Sequence, residues 1–390
     1  MPKPPLKKTH HAATRPPFDC IALLLQGGGA LGAYQAGVYQ ALAEADLHPD
    51  WVAGISIGAI NAALIAGNAP EYRVDRLRQF WEEVSLASNG GWAADWISRV
   101  TRGDAIRTAL NQLHANQAVV AGVPGFFAPR LPGPWLYPAG SPEATSIYDT
   151  SPLRATLERL VDFDRLNHDG MRLSIGAVNV RTGNFSYFDT TTHQIRPEHV
   201  MASGALPPGF PAVEIEGEYY WDGGLVSNTP LSWVLNSESR QDTLAFQVDL
   251  WSARGDFPRD MQEVMMRQKE IQYSSRTRNN TDNFKRMQRL RCALGKLLEQ
   301  IPPELRATDE AKLLGGVSSH KVYNIVHLIY RAAAYEGHAK DYEFSRQSMD
   351  DHWESGYNDA IRTLRHPEVL QRPHNQEGVM TFDLGTDSRD

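Results

Sequence analysis

The sequence predicts an α/β protein with a mostly parallel central sheet, followed by a mainly helical C-terminal extension. Three observations lead there. Residues 20–26, CIALLLQ, form a short continuous apolar run bounded by glycines, the pattern of a strand buried on both faces. A glycine-rich turn and an Ala-rich stretch of helical period follow, and the same strand–turn–helix order returns at residue 51. Past about Gly255 the alternation gives way to long helical texture.

Taken in order, residues 1–18 hold basic residues and prolines without an apolar h-region, and read as a disordered leader rather than a secretory signal. ALGAYQAGVYQALAEA (30–45) should be a packed helix, PDWVAGIS a second buried strand, and IGAINAALIAG a small-residue helix closing at Gly67. An amphipathic helix carrying Phe80 and Trp81 is expected over 70–84. From 85 to 150 the texture is Gly- and Pro-rich and includes Trp92, Trp96 and Trp135. An irregular insertion is expected there, either packed on the core or forming the lid or wall of an apolar channel. MRLSIGAVNV and GNFSYFDT read as a strand pair turning at Thr182-Gly183, PAVEIEGEYYWDGG as a hairpin turning at Gly217, and DTLAFQVDLW as a further buried strand. Helix is expected from about 256 to 300, where Pro302 and Pro303 end it, and again over SSHKVYNIVHLIYRAAAY and EFSRQSMDDHWESGYNDAIRTLR. The main domain is therefore expected over 19–255 and the extension over 256–390.

The bulk composition, 42% hydrophobic and 22% charged over 390 residues, is that of a soluble globular protein. A net charge of −7 argues against nucleic acid as a whole-surface partner. The two cysteines, Cys20 and Cys292, make neither a metal spacing nor a disulfide framework, which suits a reducing compartment. No apolar stretch reaches 18 residues, so cytoplasmic placement is the expectation.

The chemistry starts at Gly54-Ile55-Ser56-Ile57-Gly58, a Gly-x-Ser-x-Gly pentapeptide between an expected strand and an expected helix. In such a nucleophile elbow a strained turn pushes the serine hydroxyl out at the sheet edge, and the glycines remove clashing Cβ atoms. A tight turn that merely carries serine is the bland alternative, and the context disfavours it. Gly27, Gly28 and Gly29, with Gly32, also spell the dinucleotide fingerprint GxGxxG. That reading needs an acidic residue at the end of the second strand to hold a ribose; Asp50 precedes that strand, and Ser56 stands at its end. No Lys-Ser/Thr pair follows the glycines, which removes a P-loop. Consecutive glycines at a helix N-terminus present amides that suit a developing oxyanion as well as a phosphate, and a serine elbow one unit later favours the oxyanion.

Ser56 needs a base. His320, His327, His338, His352 and His366 all lie in helical texture and read as solvated or core histidines. Asp222, in YYWDGGLVSNTPL, sits where a strand should end in an open glycine turn. Alone it is an ordinary Asp-Gly turn; paired with Ser56 it becomes the base, and burial beside Trp221 and Leu225 would raise its pKa towards neutrality.

GGGALGAYQAG, GISIGAINAA and DGG, in that order across roughly residues 19–250, resemble the patatin-like phospholipases, lipid acyl hydrolases that use a Ser–Asp dyad. The resemblance implies a three-layer patatin-like fold, Ser56 as nucleophile, Asp222 as base, Gly27, Gly28 and Gly29 as the oxyanion hole, and no metal or cofactor. Many members carry Arg or Lys where Leu31 stands, so charge assistance at that point is missing here. The segment beginning DLWSARGDFPRDMQEVMMRQKEIQYSSRTR is similar to the C-terminal extension of a bacterial patatin subgroup. The function expected is a phospholipase, lipase or carboxylesterase acting on a lipid or other acyl ester. The alternatives are an intracellular polyester such as polyhydroxyalkanoate as substrate, or a lipid-binding or regulatory protein with little turnover. Residues 267–296 hold nine Lys/Arg against Glu270 and Asp282. A solvated helix face is the preferred reading of that segment, with peripheral contact to an anionic membrane as the alternative.

Overall fold

The computed structural model describes residues 14–85, 104–237, 240–274, 277–333, 336–375 and 377–384. Its centre is a nine-stranded sheet. The first βα units are β1 (Cys20–Leu25), α1 (Gly32–Glu44), β2 (Trp51–Ile55), α2 (Ile57–Ala66) and α3 (Arg73–Glu83). Then come α4 (Asp104–Ala121), a two-stranded ladder of β3 (Ala128–Pro129) with β4 (Tyr148–Asp149), α5 (Ser151–Leu160) and α6 (Phe163–His168). β5 (Arg172–Asn179), β6 (Phe185–Asp189), α7 (Pro197–Ser203), β7 (Val213–Ile215), β8 (Glu218–Asp222), α8 (Leu231–Leu235) and β9 (Thr243–Asp249) complete the N-terminal part. The remainder holds α9 (Met261–Tyr273), α10 (Thr277–Gln300), α11 (Pro303–Arg306), α12 (Asp309–Val317), β10 (Tyr323–Ile329), α13 (Arg346–Leu364) and β11 (Val379–Phe382).

The sheet order is β11-β10-β9-β1-β2-β5-β8-β7, with β6 on the other edge of β5. The first six strands are mutually parallel, while β6, β7 and β8 pair antiparallel. The pleat explains the unbroken apolar run of β1: Ile21, Leu23 and Leu25 join the cluster under α1, α2, α3 and α13, while Cys20, Ala22 and Leu24 join the one under α8 and α10. A parallel strand covered by helices on both faces has no polar side, which gives three layers.

Three stretches depart from their expected form. Residues 104–121 are an 18-residue helix rather than irregular chain. They contain neither Gly nor Pro; the breakers flank them, at Gly90, Gly91 and Gly103 before and in a dense run from Gly122 after. Trp92 and Trp96 fall outside the described residues. Tyr323–Ile329, expected as helix, is the fully paired strand β10, seated between β9 and β11. A short apolar run carries no period that separates buried strand from buried helix, and the vacant edge of β9 decides it. Helices still dominate after residue 255, but this part also extends the sheet by two strands. Residues 14–18, expected within a disordered leader, are ordered: Phe18 is buried and Arg15 pairs with Asp50.

Candidate functional site

The site lies at the C-terminal ends of β1, β2 and β9, where loops leave a parallel sheet and helices begin. β2 ends at Ile55, and Ser56 turns the chain into α2 with φ 57° and ψ −126°, a left-handed conformation that costs a non-glycine residue about 1–3 kcal/mol. The turn is possible because Gly54 and Gly58 touch: a Cβ on Gly54 would strike the Gly58 carbonyl, and one on Gly58 would strike the backbone of Leu25 and Gln26. Packing of α2, fully buried along its length, holds that strain in place. The Ser56 N–H donates to Ser203 Oγ (2.9 Å), whose hydroxyl donates to the Gly176 carbonyl (2.6 Å).

Sheet register brings Asp222 to the serine. β5 pairs with β2 only as far as Gly176, opposite Ile55, and with β8 from Ala177, opposite Asp222. Since β6 holds the other edge of β5, β2 and β8 meet end to end along a single edge. Ser56 Oγ donates to Asp222 Oδ2 at 2.6 Å, and the Gly224 N–H donates to Oδ1 at 2.7 Å. Asp222 is 2% exposed. Burial drives its pKa up to about 6 against those two hydrogen bonds, which favour the anion.

The glycine loop faces the same point. Gly29 takes φ 57°, and a side chain there would strike the Asp341 carbonyl, which accepts the Ala30 N–H at 2.8 Å. The Gly27 carbonyl accepts from Asn228 Nδ2 (3.0 Å) and Trp251 Nε1 (2.9 Å), and its N–H is directed to the Asn228 carbonyl (3.4 Å). The amides of Gly28 and Gly29 have no acceptor among the described residues. Leu31 points into the core, fully buried. Asp50 accepts the Ile21 N–H at 2.7 Å at the start of β1, the opposite end of that strand from the glycine loop.

A cavity of about 450 Å³ joins these parts. Ser56, Asp222 and Gly27–Gly29 border it, and one side is an aromatic cluster of Phe126, Phe127, Tyr148, Phe210 and Phe344. Ring centroids in that cluster lie 4.8–6.5 Å apart. From the stretch 104–150, Ala118, Val119, Phe126, Phe127 and Tyr148 border the cavity. Trp135, also expected to matter there, is 86% exposed and does not border the cavity. Of the later histidines, His352 is buried against Glu336 (3.2 Å) and His320 lies beside Glu299 (3.4 Å); none of them borders the cavity.

Sequence reasoning missed Ser203, Asn228, Trp251 and Asp341, which hold the glycine loop and the elbow. Asn228 carried a faint signal as an amide inside the apolar turn that follows Asp222. The others act through hydrogen bonds spanning up to 311 positions, such as Ala30 N–H to Asp341 O, and have no local signature. Among the described residues no helix is long and apolar enough to cross a membrane. In the basic segment, Arg267 pairs with Glu270 (3.1 Å) and Lys269 with Asp341 (2.8 Å).

Short stretches of the chain are similar to three named proteins. Lysophospholipase nte1 of Aspergillus terreus is 47% identical over 60 residues, 15% of this chain and 4% of that protein. Triacylglycerol lipase SDP1L of Arabidopsis thaliana is 33% identical over 81 residues, 21% and 9% of the two chains. Patatin-like phospholipase domain-containing protein 7 of Rattus norvegicus is 40% identical over 65 residues, 17% and 5% of the two chains. The chain thus spans under a tenth of the length of these relatives. The crystal structure of VipD from Legionella pneumophila aligns with a TM-score of 0.40 at 14% identity, covering 96% of this chain and 76% of that one. Residues 271–376 match a family described as patatin phospholipase. Residues 23–235, more than half of the sequence and the part that carries every candidate residue from Gly27 to Asp222, match the patatin-like phospholipase family, and to that family the chain belongs.

Proposed function

We propose that this protein is a serine lipid acyl hydrolase that cleaves carboxylic esters through a Ser56–Asp222 dyad and the amides of the Gly27–Gly29 loop. The observation that carries the reading is the 2.6 Å hydrogen bond from Ser56 Oγ to Asp222 Oδ2 beside an apolar cavity. Ser56 Oγ attacks the ester carbonyl carbon as its proton passes to Asp222. The carbonyl oxygen becomes an oxyanion and accepts from the glycine amides, of which Gly28 and Gly29 are unengaged. Collapse expels the alcohol, which leaves with the proton held by Asp222. Water then attacks the acyl-serine, giving its proton to Asp222, which returns it to Ser56 Oγ as the carboxylic acid departs.

The raised pKa suits this cycle. A carboxylate of ordinary pKa, about 4, is a poor base for a serine hydroxyl, whereas a value of about 6 leaves Asp222 ionised at neutral pH and better matched to the proton it takes. The aromatic wall offers an acyl chain about the right surroundings, and the phospholipase and lipase names of the relatives agree with a lipid ester. The test is turnover of p-nitrophenyl esters of graded chain length by wild type, Ser56→Ala and Asp222→Asn. Each substitution should lower kcat by about 10³-fold or more. Equal rates in the three proteins would overturn the reading.

A further inference from the structure

The cavity has a second wall of different chemistry. Lys269 from α9, with Asp341 and Tyr342 from the segment before α13, borders it together with Gly28, Gly29 and Ser56. Lys269 is the single cation among the described residues lining the cavity. Its Nζ donates to both Asp341 carboxylate oxygens (2.8 and 3.0 Å) and, at 3.3 Å, to the His338 carbonyl. The two charged side chains are 31% and 22% exposed. A neighbouring pair already ties the same two segments together: Lys340 to Glu270 at 2.9 Å, with side chains 3% and 12% exposed. The sealed pair suffices to join the segments, and the second one is left open to the cavity.

We propose that Lys269 and Asp341 form a head-group subsite for a zwitterionic lipid ester, with phosphate on Lys269 and ammonium on Asp341. The proposal rests on reading the cavity as a lipid ester site. The argument is charge complementarity. A neutral glyceride satisfies neither member of the pair. A purely anionic head group gains Lys269 but meets Asp341 at the same point. A phosphate with a tethered ammonium satisfies both without separating them: the phosphate displaces only the His338 carbonyl, the longest and uncharged partner of Lys269. The ammonium then lies on the Asp341 carboxylate, beside the Tyr342 ring that Lys269 Nζ faces at 4.9 Å from its centroid.

The test is calorimetric binding of three soluble dihexanoyl lipids, kept below their micellar concentrations, to the full-length Ser56→Ala protein, which is not expected to consume them. Dihexanoyl phosphocholine should bind about tenfold tighter than dihexanoyl phosphoglycerol, and dihexanoylglycerol weakest. Added Lys269→Met should weaken both phospholipids about tenfold relative to dihexanoylglycerol. Added Asp341→Asn, which keeps the backbone carbonyl that holds Ala30, should weaken phosphocholine, strengthen phosphoglycerol and so reverse their order. The readout is a ratio between ligands, and the two variants probe opposite charges, so a folding defect in one leaves the other informative. Affinities of phosphocholine and phosphoglycerol, each taken relative to dihexanoylglycerol, that stay within twofold of the parent in both variants would reduce the pair to a structural tie. Persistence of ester turnover after Ser56→Ala would instead count against the dyad and leave the head-group measurement intact.

Discussion

Two aspartates flank the same strand, equally hidden and opposite in character. Asp222 ends β8 on one edge of β5, and Asp189 ends β6 on the other; they are 2% and 1% exposed. Asp189 has a full complement of donors: Arg172 Nε at 2.9 and 3.0 Å, Ser174 Oγ at 2.5 Å, and the Thr191 N–H and hydroxyl at 2.9 and 2.6 Å. Burial pushes its pKa up, but the Ser174 and Thr191 bonds and the Arg172 guanidinium outweigh that and hold it below the usual carboxylate value. Asp222 has two donors and no cation, and burial wins. Burial alone therefore does not set a carboxylate's role. The number of donors and the presence of a cation decide whether it is a permanent anion that ties structure or a base able to take a proton.

The contrast can be broken from either side. The largest expected effect is on activity: Asp222→Asn should cost about 10³-fold in kcat, whereas Asp189→Asn should leave the kcat of the folded protein within about threefold, both read with p-nitrophenyl esters. Next comes stability at the other site. Asp189→Asn uncouples the Arg172 guanidinium, which also stacks 3.7 Å over the Trp51 ring, and should destabilise the fold by about 3–5 kcal/mol in urea denaturation.

How legible this was from the sequence differs between the two carboxylates. Asp222 announced itself, because a strand ending in Asp-Gly-Gly downstream of a serine elbow is a local pattern. Asp189 did not, since its partners come from β5 and from the turn after β6 and nothing in FSYFDT separates it from a strand-end turn residue. The same rule covers the scaffold: βα units and hairpins were readable from period and glycines, while β10 was misread and the clamps at Trp251 and Asp341 were invisible. Those depend on which chain segments become neighbours.

A smaller effect sharpens the comparison further. The folded pKa of Asp222 lies above its unfolded value of 3.8, so the folded state holds the extra proton between about 4 and 6. The stability this contributes is present below about pH 4 and is lost as pH rises through about 6. Asp222→Asn removes the cost of an ionised buried carboxylate and should stabilise the protein by roughly 2–3 kcal/mol at pH 8, with little gain at pH 4, measured by denaturation at both values. Asp189, with its pKa lowered, has the reverse sign: its contribution is present above the unfolded value and declines as pH falls through the folded one.

The smallest effect is the pH profile of wild-type turnover. Asp222 must be ionised to accept the Ser56 proton, so kcat/KM should rise about tenfold per pH unit below about 6 and level off above it. A profile flat from pH 5 to 8 would mean that the group limiting the rate is not this carboxylate.

The amino-acid sequence by itself determined the chemistry on offer: the strained serine turn between glycines, the exposed amides of the glycine loop, the aspartate at a strand end and the apolar runs that demand helices on both faces of a sheet. These are contests between neighbours in the chain, settled by sterics and period within a few residues. The tertiary structure alone decided their distances and environment. The end-to-end meeting of β2 and β8 along β5 places Asp222 at 2.6 Å from Ser56 Oγ. Burial without a cation raises the pKa of that aspartate to about 6. The long-range return of Trp251, Lys269 and Asp341 closes the cavity around the glycine loop. Desolvation and charge pairing depend on what packs nearby in space, and no local pattern of residues encodes that.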